Sequence, residues 1–293
     1  MVSACALAFL GAGAGGANIA APDLAPYSGL GTWISIYSSS FRTDADRLAA
    51  GLAQRGVETL FVETGNFRQR VDVVGRSQLG ALIDAAHAQG LAVIAWYLPD
   101  LTNVGRDLRR ARAAISLRTP SGDRFDSFAL DIESSAVRNS SERNRRLLEL
   151  SRRLRAAVGS NYALGAIIPS PVGMKLLPRY WPHFPYAALA RSYDVFLPMA
   201  YFTYRAHGRS AVSRYIQTSV RIIRGESGDA TIPIHVIGGL AARTGAADAG
   251  AFVQATASCG VDGFSLYDYG GTKISVWPLL ERAARLASSG ARC

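Results

Sequence analysis

Two acidic residues, Asp131 and Glu133, stand two positions apart at the end of a segment, residues 126–133, in which Phe128, Leu130 and Ile132 alternate with other residues. Alternate residues of a β-strand point to the same side, so a strand here would bring both carboxylates to one face. Repulsion between them and partial burial would raise one pKa, which leaves a protonated acid beside an anion. Cleavage of a glycosidic bond needs that division of labour. The alternative is that both carboxylates only accept hydrogen bonds from loop amides at the strand end.

The sequence around this pair alternates between segments of strand and of helical periodicity from residue 31 onward. Strands are predicted at residues 32–37, 59–63, 91–98, 125–132, 162–168, 194–201, 232–237 and 263–267. Eight strand–helix pairs with short connections predict an α/β fold, a single (β/α)8 TIM barrel. A doubly wound open sheet is the alternative. It normally has a glycine-rich turn after its first strand, where this sequence has Tyr37 followed by three serines.

Capping residues predict where several of the helices begin. Thr43 with Asp46 forms a candidate capping box, Ser77 is a candidate cap for the second helix, and Asn139 with Glu142 precedes a long helical stretch. A barrel domain over residues 30–290 follows from the whole pattern.

Barrel enzymes place their sites at the carboxyl ends of the strands. The carboxylates near those ends are Glu63, Asp100, Asp131, Glu133 and Asp268. Aromatic residues cluster at the same ends: Tyr37, Trp96, Tyr97, Tyr201, Phe202, Tyr204, Tyr267 and Tyr269. Aromatic faces suit the C–H faces of sugar rings, although ordinary packing would explain some of these residues. The predicted substrate contacts are Tyr37, Glu63, Trp96, Tyr97, Met199, Tyr267 and Asp268.

The fourth-strand segment resembles a signature of the family 18 glycoside hydrolases, the chitinase-like barrels, which reads Asp-Gly-x-Asp-x-Asp-x-Glu. Asp126, Asp131 and Glu133 match it in register, whereas Ser127 replaces the glycine and Ala129 replaces the middle aspartate. This resemblance implies a TIM barrel that binds and cleaves polysaccharide.

Other strands resemble the same family less closely. Residues 198–201 resemble its Met-x-Tyr-Asp motif, with Phe202 in place of the aspartate. Residues 263–267 resemble its Gly-x-Met-x-Trp motif, with Ser265 and Tyr267 substituted. The family's Ser-x-Gly-Gly on strand three is replaced by residues 95–97, Ala-Trp-Tyr. The resemblance runs from about residue 31 to residue 289 and indicates a distant relative.

The resemblance implies a role for three residues. Glu133 would be the general acid, Asp131 would orient the substrate's own N-acetyl group, and Tyr201 would hydrogen-bond that group. The implied activity is hydrolysis of an N-acetylhexosamine-containing polysaccharide. A conventional two-carboxylate mechanism stays open if Glu63 or Asp268 lies near enough to Glu133. A non-catalytic, chitinase-like binding protein is the alternative function, because position 129 and position 202 lack their aspartates.

Composition limits the partners of this chain. Lys+Arg number 32 and Asp+Glu 22, a net charge of +10. The arginines either cover outer helix faces or attract an anionic or cell-wall glycan. No basic stripe interleaved with aromatics suggests nucleic acid. The histidines and three cysteines lack metal-ligand spacing, so no metal and no cofactor is expected. A disulfide between Cys259 and Cys293 is a hypothesis.

The first residues predict export. Residues 2–21 are small, apolar and uncharged, so residues 1–25 are interpreted as a signal segment, with a tail lacking fixed structure as the alternative. No later stretch is apolar enough for a membrane span. We expect a monomer that is secreted or located in the cell envelope.

Overall fold

A computed structural model of the chain describes residues 21–288 and consists of eight parallel strands that alternate with helices. The strands are β1 (Gly29–Ile34), β2 (Thr59–Asn66), β3 (Ala92–Leu98), β4 (Ser127–Asp131), β5 (Leu164–Ile168), β6 (Val195–Pro198), β7 (His235–Leu240) and β8 (Gly263–Tyr267). The helices are α1 (Ala45–Gln54), α2 (Arg76–Ala88), α3 (Val104–Ile115), α4 (Ser140–Val158), α5 (Pro171–Leu176), α6 (Tyr186–Leu189), α7 (Arg209–Ser227), α8 (Ala246–Cys259) and α9 (Trp277–Ser288).

The strands close into a barrel. Their order is β6-β5-β4-β3-β2-β1-β8-β7, with every pairing parallel. Isolated bridges from Phe196 to Ile234 and from Met199 to Ile237 join β6 to β7 and complete the ring. The predicted (β/α)8 barrel is therefore confirmed.

The barrel wall separates two apolar cores. The outer core lies between strands and helices and contains Phe128, Leu130 and Ile132 of the fourth strand segment. The inner core contains Ala129 of the same strand, together with Ile94 and Ile167 of its neighbours. Successive residues of β4 therefore face opposite cores, as alternation in a strand requires. This alternation directs Asp131 to the inside.

Tyr27 closes the amino-terminal end of the barrel from a short 3-10 helix, Ala25–Tyr27. Its hydroxyl lies 2.7 Å from the hydroxyl of Ser127 and 3.0 Å from the carbonyl oxygen of Phe128. Gly165 makes room for the ring, because a Cβ there would lie 2.8 Å from Tyr27 Cε1. The described fold thus includes residues before residue 30, the predicted start of the barrel domain.

A chain of hydrogen bonds crosses the middle of the barrel. Trp33 Nε1 donates to Ser265 Oγ at 2.8 Å, and Ser265 Oγ lies 3.0 Å from His235 Nε2. His235 Nδ1 lies 2.9 Å from the carbonyl oxygen of Tyr27, which can only accept, so Nδ1 carries the proton. Burial lowers the pKa of His235 to about 4, and the imidazole is neutral.

Of the three predicted helix caps, two are wrong and one is confirmed. The capping box at Thr43 is wrong: Asp44 caps α1 and accepts from Arg47 N at 2.8 Å, because a 3-10 turn at Ser39–Arg42 occupies the chain before it. Ser77 is not a cap either, since α2 begins at Arg76 after a left-handed Gly75. Asn139 does cap α4 and accepts from Glu142 N.

The described part of the chain contains no helix with the length and apolar character to cross a bilayer. The same residues contain no group of three or more His, Cys, Asp or Glu that could hold a metal ion. Most of the predicted export segment lies outside residues 21–288, and so does Cys5. Cys293, one partner of the hypothetical disulfide, lies outside them as well. Cys259 is a half-buried thiol at the end of α8.

Candidate active site

A cavity of about 620 Å³ opens at the carboxyl ends of the strands. It contains eight of the residues predicted from the sequence: Tyr37, Glu63, Trp96, Asp131, Glu133, Met199, Tyr201 and Tyr267. The wall is completed by Ser35, Asn66, Phe67, Arg68, Leu98, Ser134, Ser135, Ala136 and Leu240. The barrel thus brings three carboxyl groups and five aromatic side chains from six different strand ends into one hollow.

Asp131 and Glu133 enter this cavity from the end of β4. Asp131 is the last residue of the strand and is 7% exposed, whereas Glu133 lies just beyond it and is half-buried. Oδ1 of Asp131 is buried without a hydrogen-bond partner among the described residues. The Tyr180 hydroxyl donates to the carbonyl oxygen of Glu133 at 2.7 Å, which fixes the backbone after the strand. The alternative reading, in which loop amides satisfy both carboxylates, does not describe Asp131.

Burial and mutual repulsion change the acidity of both groups. The pKa of Asp131 lies well above its ordinary value, first because of burial and then because of the charges of Glu133 and Glu63. Burial also raises the pKa of Glu133. Two carboxyl groups this close do not both ionise freely in a buried site. The pair therefore holds a proton at higher pH than two isolated carboxyl groups would.

Glu63 is the third carboxylate of the cavity and comes from β2. Its Oε2 accepts from the backbone N–H of Ile36 at 3.1 Å, and its Oε1 accepts from Asn66 Nδ2 at 2.9 Å. Burial raises the pKa of Glu63, while the hydrogen bonds from Asn66 and Ile36 act in the opposite direction. Unlike Asp131, Glu63 has a donor on each oxygen and is held in place.

Trp33 forms a floor beneath the cavity. Its ring stacks on Phe61 with centroids 4.2 Å apart and planes 10° from parallel. Trp96 makes an edge contact with it at a centroid distance of 6.1 Å, and the tilted ring of Tyr267 lies 6.3 Å away. Trp33 was not among the residues predicted from the sequence. The available signal was its place two residues after Gly31, on the side of β1 that faces the interior.

Two tyrosines form the wall opposite β2 and β3. The rings of Tyr201 and Tyr267 lie 6.4 Å apart, and Tyr204 continues the row at 6.3 Å from Tyr201. Burial raises the pKa of Tyr201 well above its ordinary value and raises that of Tyr267 as well. Both phenols stay protonated at neutral pH, so each can donate a hydrogen bond to a ligand.

Two predicted substrate contacts are wrong in position. Tyr97 is fully buried on the outer side of β3, where its hydroxyl donates to Asp107 Oδ1 of α3 at 2.9 Å. Asp268 does not belong to the cavity wall, because its Oδ1 accepts from Gly271 N at 3.0 Å within the turn after β8.

Other rim residues considered from the sequence have structural partners. Asp100 pairs with Arg106, and Phe202 packs on Phe252 with centroids 5.8 Å apart. Asn66 and Arg68, which do line the cavity, were missed. Asn66 could have been predicted as a site residue only if the true end of β2 were known. The strand ends at Asn66, three residues beyond its predicted end.

Comparisons with known proteins place the fold. No protein-family model matches the sequence, and no curated protein does. Among solved structures, an endo-beta-1,4-mannanase from Thermotoga petrophila superposes with a TM-score of 0.71 at 12% identity, over 91% of this chain and 78% of that one. A chitinase from Bacteroides thetaiotaomicron gives a TM-score of 0.64 at 11% identity, over 88% and 96%.

A chitinase from Chromobacterium violaceum is a third similar structure, with a TM-score of 0.58 at 13% identity over 87% of this chain and 98% of that one. At these identities the likeness concerns the fold. The chain has the (β/α)8 barrel architecture found in those chitinases and mannanases, in agreement with the resemblance seen in its sequence.

Proposed function

We propose that the protein is a glycoside hydrolase in which Glu133 is the general acid. The observation that carries this proposal is the entry of Asp131 and Glu133 into one aromatic-lined cavity, where Asp131 Oδ1 is buried without a hydrogen-bond partner among the described residues. A buried carboxyl without a partner costs stability, so its presence in a cleft supports a chemical role. The similar barrels named above are one mannanase and two chitinases.

The finer proposal is substrate-assisted cleavage of an N-acetylhexosamine polymer. Glu133 gives its proton to the glycosidic oxygen as the bond from that oxygen to the anomeric carbon breaks. The carbonyl oxygen of the substrate's N-acetyl group bonds to the same carbon. A water then gives a proton to Glu133 and its oxygen to the anomeric carbon, which reopens the ring and restores the acid.

Asp131 supports this sequence as an anion. The acetamido N–H of the substrate would donate to Asp131, and that bond favours the charged form of the carboxylate. The proton shared by the free pair would then reside on Glu133, which is the more exposed member and lies nearer to solvent and substrate. Tyr201, protonated at neutral pH, would donate to the acetamido oxygen.

A non-catalytic sugar-binding protein is the second candidate. The observation that favours it is that two positions expected to supply aspartates supply none: Ala129 belongs to the inner apolar core, and Phe202 is buried against Phe252. Binding alone would not require Glu133, whereas hydrolysis would. Activity of wild type and Glu133→Gln therefore separates the two candidates.

The test is an assay of reducing ends and soluble products on a panel of glycans. The panel contains chitin oligosaccharides, deacetylated chitosan, peptidoglycan, β-1,4-mannan and an anionic polysaccharide. Substrate assistance predicts cleavage of N-acetylated chains and none of fully deacetylated ones. Release from mannan, which has no N-acetyl group, would contradict substrate assistance but not hydrolysis. Binding to the panel without product would favour the second candidate.

We also propose that the protein is exported as a monomer and acts on a cell-wall or other anionic glycan. The apolar residues 2–21 and the net charge of +10 support this proposal. Fractionation of cells expressing the full chain, with amino-terminal sequencing of the exported form, tests export. Light scattering tests the oligomeric state.

A further inference from the structure

Glu63, Trp96 and Ala129 lie side by side inside the barrel. In the β2–β3 pairing Glu63 is opposite Trp96, and in the β3–β4 pairing Trp96 is opposite Ala129. Trp96 and Ala129 belong to the inner core, and Glu63 faces the same cavity. Position 129 is the one at which the chitinase-like signature has a carboxylate. A carboxylate is therefore present at the level of Ala129, but it comes from β2.

Glu63 is fixed more firmly than the other two carboxyl groups. It is 2% exposed, and each oxygen accepts one N–H bond, from Ile36 N and from Asn66 Nδ2. Asn66 Nδ2 is itself 3.0 Å from the hydroxyl of Tyr37. Backbone N–H and side-chain amide N–H groups only donate, so they favour the charged carboxylate over the neutral acid. Both oxygens of Glu63 are therefore held in place by donors.

Asp131 faces Glu63 and a set of neutral groups. The titratable groups that act on it are Glu133 from its own segment and Glu63 from β2. Tyr201 after β6, Tyr267 of β8 and Tyr180 after α5 also interact with it, and all three phenols have raised pKa values. Among the described residues, the acidic group outside the pair that acts on Asp131 is therefore Glu63, whose two N–H donors favour its charged form.

We propose that Glu63 is a positioning residue whose fixed negative charge keeps one proton on the Asp131–Glu133 pair, in place of the missing carboxylate at position 129. The importance of this charge for catalysis rests on the proposed function. The charge itself acts whether or not a substrate is cleaved. Removing the charge lowers the pKa values of the pair, so the general acid loses its proton at a lower pH.

The direct test is a titration of carboxyl carbons by NMR in the full-length protein labelled at Asp and Glu side chains. The Asp131 signal is assigned by its loss in Asp131→Asn. In Glu63→Gln its midpoint is expected to fall by about 1 pH unit, the usual size of the effect of one nearby charge. Glu63→Asp, which keeps the charge, is expected to restore most of the shift.

Glu58→Gln is the control, because it removes an exposed carboxylate next to the opposite end of β2. Its effect on the Asp131 midpoint is expected to be below about 0.2 unit. If Glu63→Gln does not fold, Glu63→Met is used, which is also neutral and of similar length. An Asp131 midpoint that does not move in a folded, neutral variant would overturn the proposal.

The activity readout is the alkaline limb of the pH profile of kcat/KM. It is expected to move to lower pH in Glu63→Gln by the same amount as the NMR midpoint, and to return in Glu63→Asp. A wild type that cleaves no glycan would refute the proposed function and leave the titration as the test of Glu63. Loss of activity at every pH with an unmoved midpoint would instead contradict the positioning role.

Discussion

Trp96 and Tyr97 are neighbours in β3, yet they lie on opposite sides of the barrel wall. Trp96 faces the cavity, and its indole N–H is buried without a partner among the described residues. Tyr97 faces α3 and donates to Asp107. Successive residues of a strand point to opposite faces, so one side chain is available to a ligand and the other to the outer core.

This relationship predicts that substitution of Trp96 changes substrate binding, whereas substitution of Tyr97 changes stability. Trp96→Phe reduces the aromatic surface in the cavity and loses no hydrogen bond, so we expect KM to rise by roughly three- to tenfold. Tyr97→Phe loses a buried hydrogen bond, so we expect a fall of about 1 kcal/mol in the free energy of unfolding with KM unchanged. Steady-state kinetics and urea denaturation measure both quantities. A several-fold change of KM in Tyr97→Phe would contradict this placement.

Asp131 should reduce the stability of the protein in the free state. Asp131→Asn removes a buried acidic group with no partner on Oδ1, so we expect the free energy of unfolding at pH 8 to increase by about 1–2 kcal/mol. The folded-state pKa of Asp131 is raised, so the unfolded chain releases this proton at lower pH than the folded chain does. Wild type therefore loses stability as the pH rises through that window, and the gain in the variant should be smaller at pH 5.

The control for this experiment is Asp126→Asn, just before the start of β4. Asp126 Oδ2 accepts from Val93 N at 2.7 Å, so the substitution should weaken the fold. Urea denaturation at pH 5 and pH 8 compares each of the two variants with wild type at both pH values. Destabilisation by Asp131→Asn at pH 8 would argue that Asp131 has a structural partner.

His235 makes stability depend on acidity in the opposite direction. Its folded-state pKa of about 4 is lower than its ordinary value, so the unfolded chain binds the proton first as the pH falls. Stability is therefore lost between about pH 6.5 and pH 4, by up to about 3 kcal/mol. We expect wild type to lose this much more than His235→Gln over that range, measured by denaturation at each pH.

His87 provides the matched histidine. Burial opposes its protonation, but hydrogen bonds to Asp126 and Asp123 raise the pKa of His87 overall. The stabilisation that protonated His87 gives is fully present below the pKa of the unfolded histidine. It is lost as the pH rises through the raised pKa of the folded state. Relative to His87→Gln, wild type should thus gain stability on acidification. Equal pH dependence in both variants would refute the assignment of a neutral, buried His235.

The sequence predicted the barrel and the placement of Asp131 and Glu133 because β4 has one apolar side and one side that ends in acids. Strand β3 offered no such contrast. Both of its faces are apolar, so the order of Trp96 and Tyr97 could not be read from polarity. The orientation depends on the register with β2 and β4, which is a property of the closed barrel.

The end of β1 and the role of Glu63 also depended on contacts distant in sequence. β1 stops at Ile34 because the Ile36 N–H donates to the Glu63 side chain and the chain turns from Ser35 to Ser38. The predicted strand reached Tyr37 because its residues favour extended structure. The Glu63 carboxylate of β2 terminates the neighbouring strand β1. This contact could be recognised only after both strands were positioned in the barrel.

The most direct test of the account compares Glu133→Gln with wild type on the glycan that wild type cleaves. Glu133 supplies the proton to the leaving oxygen, so we expect kcat to fall by a factor of about 10² to 10⁴, with glycan affinity and thermal unfolding close to those of wild type. An equally folded Glu133→Gln protein that releases products at the wild-type rate would contradict the assignment of Glu133 as the general acid.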